Sequence, residues 1–391
     1  MFNIKKLNTI SDAIYDYLTE DDYHIDKDLT EYEAILVRSA DCRDLIFPNN
    51  LIAVARAGAG VNNIPIDKCS EKGIVVFNTP GANANGVKEL VLAGMFLASR
   101  NIVEAVEWVK TLKGKRDNIL TLVESGKKQF VGPELAGKTL GVIGLGSIGV
   151  MVANAAYSLG MKVVGYDPYI SIESAWGLSQ DVRRAYHLDR LLEVSDYITL
   201  HIPLMNNTKS FIGENEIQKM KKDVVLLNFA RNGLIDYLPL YTALENKSIG
   251  RYVTDFPNDR LLGYDNVICI PHLGASTPES EENCARMAAS QLKEYLEVGK
   301  IVNSVNLPNA TLPFTGRFRI AVINKNKSGM VGKMTAVLAN SGANITDMVN
   351  KSKGDLAYTV INLDEKVCEE TIRKICDIDG VIRVRTFERE M

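Results

Sequence analysis

The sequence predicts an α/β chain of two doubly wound parallel-sheet domains, followed by a small ferredoxin-like β-α-β-β-α-β module. Three observations predict it. The first ninety residues alternate short apolar runs with helical stretches, which is how a parallel sheet with crossover helices is written. A second alternation begins near residue 137 and opens on strand, G-x-G-x-x-G, helix. Beyond Pro308 and Pro313 the chain reads strand, helix, two strands joined at Gly354, helix, strand.

Size and composition narrow the class. A chain of 391 residues holds two or three domains. Hydrophobic content of 46% with 24% charged residues is that of a soluble globular protein. A net charge of −3 gives no footing for nucleic acid or an anionic membrane. No apolar run reaches the roughly 18 residues of a membrane span, and Met1-Phe2-Asn3-Ile4-Lys5 is no signal peptide, so a cytoplasmic protein is expected. The six cysteines (Cys42, Cys69, Cys269, Cys284, Cys368, Cys376) are scattered without a C-x-x-C pair and read as reduced thiols. No metal site is expected.

In the first domain, strands are expected at 2–7, 34–37, 51–56 and 74–78, with a helix near 11–18. The loops after these strands point to a ligand. Arg38-Ser39 comes after the second strand, Arg56-Ala57-Gly58-Ala59-Gly60 after the third, and Asn78-Thr79-Pro80-Gly81-Ala82-Asn83 after the fourth. Ligands of open α/β sheets bind beyond the carboxyl ends of the strands. One such arginine reads as surface charge and one Pro-Gly as a turn, but three loops on one edge point to an anion site. Residues 89–110 then read as one long helix, and 113–128 as a basic surface connection.

The second domain carries the clearest signal. Residues 139–143 form a buried strand, Gly144, Gly146 and Gly149 make the turn, and 147–159 the helix. The first glycine permits the tight turn, the second lets backbone approach a pyrophosphate, and the third lets helix lie close to strand. The helix N-terminus offers unpaired N–H groups to the phosphates. A second strand at 162–166 delivers Asp167, eighteen residues after Gly149, to accept from ribose hydroxyls. Further strands are expected at 197–201, 224–229, 250–255 and 267–270, with helices at 188–194, 215–220 and 235–244. A helix at 280–298 returns to the first domain, making the nucleotide domain an insertion with two crossings. The resulting domains are 1–92, 93–281, the return helix 282–302, a linker 303–316 and the module 317–391.

Alcohol oxidation on a nicotinamide needs a base, a group tuning that base, and a cation for the substrate. His272 follows the strand at 267–270, and its ordinary pKa of about 6.5 suits a general base. Arg231, in Asn228-Phe229-Ala230-Arg231-Asn232-Gly233, offers a planar fork to a carboxylate. Asp259 lies just past the strand ending near Asp255. His201 ends a strand, and Ile202-Pro203-Leu204 reads as a wall along the cofactor. His24 and His187 are expected at the surface.

Together Gly144 to Gly149, Asp167-Pro168, His201 to Leu204, Asn228 to Asp236 and Pro271 to Thr277 resemble the D-isomer-specific 2-hydroxyacid dehydrogenases over residues 1–300. The resemblance implies a substrate domain and a Rossmann NAD domain. It implies Arg231 on the substrate and His272 as acid/base, with Asp259 at the position of the catalytic Glu, one methylene shorter. Thr254 takes the preceding Asp position, and the nicotinamide contact moves to Asp255 by a one-residue slip. Arg38, Ser39, Gly58, Asn78, Gly81, Ala82 and Asn83 would line the substrate site. Gly144, Gly146, Ser147, Ile148, Gly149, Asp167, His201, Pro203, Ala230, Arg231, Asp255, His272 and Gly274 would contact NAD.

Residues 317–391 resemble an ACT domain, and such a tail on this family implies oxidation of 3-phospho-D-glycerate towards L-serine. Glyoxylate or hydroxypyruvate reduction, or an NAD-sensing binding protein on the same scaffold, are the other readings. The tail implies a serine effector held by Asn326 and Asn344, although Ser328 replaces the usual proline and Asn324 a histidine. The other reading of the tail is an oligomer contact only, and a homo-oligomer is expected.

Overall fold

Apolar runs of three to five residues become buried strands, and their connections set which strand ends share an edge. The computed structural model describes residues 1–389. It divides into two units: Met1–Asn83 with the chain from Pro278 onward, and Ala84–Thr277 as one continuous insertion. The crossings lie at 83/84 and 277/278 rather than at 92/93 and 281/282, because the helix entering the insertion starts at Ala84 and packs there.

Unit 1 opens with β1 (Phe2–Lys6), β2 (Tyr23–Asp26), β3 (Ala34–Val37), β4 (Ala53–Arg56), α1 (Ile66–Glu71) and β5 (Val75–Phe77). They form a parallel sheet in the order β2-β1-β3-β4-β5. β3 and β5 are buried at every residue, as expected of strands covered on both faces. The expected helix at 11–18 is only a 3₁₀ turn, Asp12–Asp16, in which Ser11 Oγ accepts from the Ala13 N–H at 3.3 Å. Ile14 and Leu18 still reach the core.

Unit 2 contains α2 (Ala84–Arg100), α3 (Ile102–Lys110), α4 (Ile119–Gly126), β6 (Thr139–Ile143), α5 (Ser147–Ser158), β7 (Lys162–Tyr166), α6 (Ile172–Gly177), β8 (Arg183–Arg184) and α7 (Leu188–Val194). It continues through β9 (Tyr197–Leu200), α8 (Glu214–Lys219), β10 (Val224–Asn228), α9 (Tyr237–Glu245), β11 (Ile249–Thr254) and β12 (Val267–Cys269). The seven strands are parallel in the order β12-β11-β10-β9-β6-β7-β8. One face is covered by α2 and α5, and the other by α7, α8 and α9. The helix expected at 89–110 is two, broken where Asn101 turns left-handed at φ 49°, a conformation asparagine tolerates. The basic connection at 113–128 contains the short α4.

The chain returns to unit 1 through α10 (Pro278–Val298), then β13 (Phe318–Lys325), α11 (Met330–Asn340), β14 (Ile345–Lys353), β15 (Leu356–Leu363), α12 (Glu369–Cys376) and β16 (Val381–Glu388). α10 buries Ala285, Ala288, Ala289, Leu292 and Tyr295 in the core shared with Ile4, Ala55 and Phe77. The last four strands form an antiparallel sheet, β14-β15-β13-β16. One face packs on α11 and α12 through Ile320, Val322 and Ile361. The other sends Ala321, Ile323, Tyr358, Val360 and Phe387 into the α10 core. The stretch expected as a linker is tied down. Val305 donates to the Val76 carbonyl at 2.8 Å, and the buried Asn306 side chain bonds the Val76 N–H and the Ile74 carbonyl, both at 2.9 Å. Among the described residues no helix is long and apolar enough to cross a membrane.

Candidate active site

The glycine turn in unit 2 is built for close approach. Gly144 follows β6 at φ 92°, and a Cβ there would lie 2.6 Å from the His201 carbonyl oxygen. A Cβ on Gly149 would strike the Gly144 carbonyl, whereas Gly146, at the N-cap of α5, faces open space with Ser147 beside it. Ile148 turns back towards the core on the α2 and α5 side. Asp167 stands at the end of β7 and braces this turn: Oδ2 accepts from the Leu145 N–H and Oδ1 from the Tyr169 N–H, each at 2.8 Å. A carboxylate has about four acceptor positions, so both oxygens keep capacity for ribose hydroxyls. The residues present therefore fit a dinucleotide.

His201 extends β9 beside the turn. Its Nε2 lies 3.0 Å from Thr199 Oγ1, and burial pushes its pKa down to about 3, so the ring is neutral. Pro203 comes next in a small turn closed by the Thr208 hydroxyl, which donates to the Pro203 carbonyl at 2.6 Å.

The carboxyl ends of β10, β11 and β12 carry the reactive groups. His272 follows β12, its side chain 58% exposed, its ring tilted against Phe256 at 5.1 Å between centroids. Its Nδ1 lies 3.2 Å from Oδ2 of Asp255, which is 2% exposed. Burial pushes the Asp255 pKa up, against the pull of His272, its own backbone N–H and Arg231. Arg231 sits on the loop after β10, which the buried Asn228 shapes. Asn228 Oδ1 accepts from the Ala230 N–H at 3.1 Å, and its Nδ2 donates to the Arg231 carbonyl at 3.0 Å. Gly274 lies against Val87 of α2, where a Cβ would come within 2.9 Å.

One expectation is corrected here. Alignment on Phe256 makes Asp259 the carboxylate opposite His272, but Asp259 is exposed in the turn after Pro257, and Asp255 takes that place. Thr254 faces the other way: its hydroxyl donates to the Asn228 carbonyl and accepts from the Phe256 N–H, both at 3.1 Å. Sequence reading misses Asn228 and Thr254 as the braces of this edge; an Asn closing a buried strand before a loop arginine is the available signal.

In unit 1 the strand-end loops are cross-linked into one ridge. Asn8, unremarked in the sequence, comes after β1 and holds the next loop: its Oδ1 accepts from the Arg38 N–H at 3.0 Å and its Nδ2 donates to Ser39 Oγ at 2.8 Å. Arg56 Nε donates to the Arg38 carbonyl at 2.9 Å, Asn78 Nδ2 to the Ala59 carbonyl at 2.6 Å, and the Thr79 N–H to the Gly58 carbonyl at 3.2 Å. The Arg38 guanidinium pairs with Glu281 at 2.7 Å. Gly81 turns at φ 81° and leads through Ala82 and Asn83 to the end of the segment. These loops do share one edge, as expected.

Asn326 and Asn344 do not come together within one module. Asn326 bonds Gly354 and Asp355 at one end of β15, while Asn344 bonds Asp364 at the other. Eight residues of strand separate them, roughly 25 Å at about 3.3 Å per residue. Asn344 and Asp364 line a recess of about 370 Å³ with Ser341, Lys366 and Thr371.

Comparison with known proteins places this geometry. Residues 92–274 match the model of the NAD binding domain of the D-isomer specific 2-hydroxyacid dehydrogenases. The chain is 37% identical over 338 residues to a D-3-phosphoglycerate dehydrogenase of Methanocaldococcus jannaschii, covering 84% of this chain and 61% of that one. A relative of the same name from Archaeoglobus fulgidus is matched over 53% of its length, so the chain spans little more than half of these archaeal relatives. With D-3-phosphoglycerate dehydrogenase of Escherichia coli it shares 32% identity over 348 residues, 86% of this chain and 81% of the relative. The NAD⁺-bound 3-phosphoglycerate dehydrogenase of Entamoeba histolytica superposes with a TM-score of 0.60 at 26% identity, covering 80% of this chain and 99% of that one. On these matches and on the motifs that carry the site, the chain belongs to the D-isomer-specific 2-hydroxyacid dehydrogenase family.

Proposed function

We propose that the protein oxidises 3-phospho-D-glycerate to 3-phosphohydroxypyruvate with NAD, the first committed step towards L-serine. The observation that carries the chemistry is the pairing of His272 with the buried Asp255 on the strand edge that also bears Arg231. The choice of substrate rests on the activity named for the Escherichia coli and Methanocaldococcus jannaschii relatives.

The glycine turn and the N-terminus of α5 would hold the pyrophosphate, and Asp167 the ribose. NAD, when bound, would supply the hydride acceptor for the substrate carbon that bears the hydroxyl. His272 Nε2 takes the hydroxyl proton as the carbonyl forms and later passes it to water. Asp255 on Nδ1 keeps that nitrogen protonated, leaves Nε2 free to accept, and supports the imidazolium once it forms. Arg231 holds the substrate carboxylate and polarises the reacting oxygen. A base with an oriented imidazole and a cation beside it supports turnover rather than mere NAD sensing. Arg38, Ser39 and the 78–83 loop are assigned to substrate binding, and self-association is assigned to the C-terminal module.

The test is NADH formation from 3-phospho-D-glycerate and NAD, run beside glyoxylate, hydroxypyruvate and D-lactate in the appropriate directions. Higher kcat/KM for any of those acids overturns the substrate assignment. For the C-terminal module the proposal is an amino-acid effector at the Asn344 recess, where an amide beside Asp364 meets both charged ends of L-serine. Because Asn326 sits at the far end of β15, a serine touching both residue types needs two copies of the module. Calorimetric titration of the full chain with L-serine should give heat that Asn344→Ala abolishes; no heat and unchanged turnover in millimolar serine leave the module structural.

A further inference from the structure

Asn8 settles what the Ser39 hydroxyl can do with its proton. Pairing between β1 and β3 runs out just before it: the Leu7 N–H still donates to the Leu36 carbonyl at 3.0 Å, and the Arg38 N–H then donates to the Asn8 side chain at 3.0 Å. A backbone N–H only donates, so the atom it faces is the amide oxygen. That fixes the other end of the amide. Nδ2 is the atom 2.8 Å from Ser39 Oγ, and it too only donates. A serine hydroxyl has one proton and two lone pairs. With a lone pair taken by Asn8, the proton is left for another acceptor, and among the described residues the exposed Ser39 hydroxyl bonds no other group. The loop is gripped from the far side as well, where Arg56 Nε donates to the Arg38 carbonyl at 2.9 Å. The Arg38 guanidinium itself pairs with Glu281 at 2.7 Å, so a carboxylate already offsets part of its charge. A directed neutral donor beside it therefore counts for more.

We propose that Asn8 is a positioning residue of the substrate site: by donating to Ser39 Oγ it leaves the Ser39 proton to the phosphate of the substrate. This rests on the assignment of Arg38 and Ser39 to substrate binding. Arg231 is assigned the carboxylate, which leaves the phosphate for the ridge in unit 1. A phosphate dianion accepts and does not donate. A hydroxyl whose proton is available therefore adds to its binding, whereas one whose proton is drawn inward turns a lone pair on it. Asn8 does not touch the substrate and acts through Ser39.

The test turns on Asn8→Asp, which keeps an oxygen for the Arg38 N–H but puts an acceptor where Nδ2 stood, so the Ser39 proton is drawn inward. Ser39→Ala is introduced into wild type, Asn8→Asp and Asn8→Ala of the full chain, and KM and kcat for 3-phospho-D-glycerate are measured. In the wild-type background Ser39→Ala should raise KM by about fivefold or more, the worth of one hydrogen bond, with kcat moving less. In the Asn8→Asp background the same change should cost less than about twofold or should lower KM. Asn8→Ala, which lets the hydroxyl rotate, should give an intermediate cost. Reading Ser39→Ala within one background cancels repulsion from the added carboxylate and any general loosening of the loop. In the reverse direction the cost of Ser39→Ala should be about fivefold or more larger for 3-phosphohydroxypyruvate than for hydroxypyruvate. A Ser39→Ala cost that is the same in all three backgrounds overturns the role of Asn8. An equal cost for both keto acids overturns the phosphate as the group served. If Ser39→Ala and Arg38→Ala both leave KM unchanged in wild type, the substrate assignment beneath fails, and the proposal with it.

Discussion

Single residues decide the chemistry of unit 2, and the one-residue slip between Thr254 and Asp255 shows how. Side chains alternate across a strand, so a shift of one position exchanges the face they serve. Counting from Phe256 puts a carboxylate at 259, but the strand end turns residue 255 towards His272 and residue 254 towards Asn228. The glycines, Asp167, Arg231 and His272 are legible because each is fixed by a short motif; the pairing of His272 is not, because it depends on backbone direction. Replacing His272 by Ala should lower turnover by about 10² to 10⁴, the usual worth of a general acid/base, with little change in NADH affinity. Asp167 should repel a 2′-phosphate, so Asp167→Ala should erase most of a preference for NAD over NADP, read as the ratio of kcat/KM; a wild type indifferent between the two contradicts this.

His201 gives a stability prediction of definite sign. An unfolded histidine titrates near 6.5, whereas the enclosed ring titrates at about 3. Between those values the unfolded chain binds a proton that the folded chain refuses, so stability falls as pH drops through the window. His201→Gln removes this titration. Wild type should lose stability relative to the variant on going from pH 7 to pH 4, measured by urea denaturation; a constant difference would mean that the ring is hydrated.

At the scale of elements, the C-terminal end of α10 is capped from a distance. Arg385 donates to the carbonyls of Tyr295 and Leu296 at 2.8 Å, and Tyr358 Oη to that of Gly299 at 2.6 Å. Arg319, 1% exposed, donates to Val298 and Leu312 carbonyls at 2.7 and 2.8 Å and to Asn362 Oδ1 at 2.8 Å. Cations suit the carbonyl end of a helix, and these satisfy groups the helix itself leaves unpaired. Arg319→Ala should therefore destabilise the chain by about 2–4 kcal/mol, since it strands buried acceptors at roughly 1–3 kcal/mol apiece. A loss under about 0.5 kcal/mol in chemical denaturation would show that the clamp is idle. None of this is visible in sequence: Arg319 and Arg385 read as ordinary strand charges, because helix capping by a distant strand leaves no local pattern. β2, with its alternating Tyr-His-Ile-Asp, is likewise too short for periodicity to mark, and the 3₁₀ turn after Ser11 is read there as a longer helix.

For the whole molecule, the order of strands and helices is legible in the alternation of apolar runs, while the way the tail joins unit 1 is not. Residues 303–316 read as a linker on composition, yet Asn306 pairs β5 and the sheet beyond shares one core with α10. Polar side chains completing a strand's hydrogen bonds look like loop residues until the strand is in place. Deleting the chain from residue 317 onward would expose Tyr295, Leu296 and their neighbours, each worth roughly 1.5–3 kcal/mol when buried. The truncated protein should melt roughly 10 °C lower or aggregate; an unchanged melting temperature would make the module a detachable appendage.

Transfer of hydrogen between substrate and nicotinamide is the act that the glycine turn, Arg231, Asp255 and His272 are assigned to perform. Its most direct test is 3-phospho-D-glycerate carrying deuterium on C2, incubated with NAD and the full chain. The expected result is deuterium at C4 of the NADH formed, in one stereochemical position, with none appearing when His272→Ala replaces the wild type over the same time. NADH without deuterium, or no NADH from the wild-type protein, would contradict it.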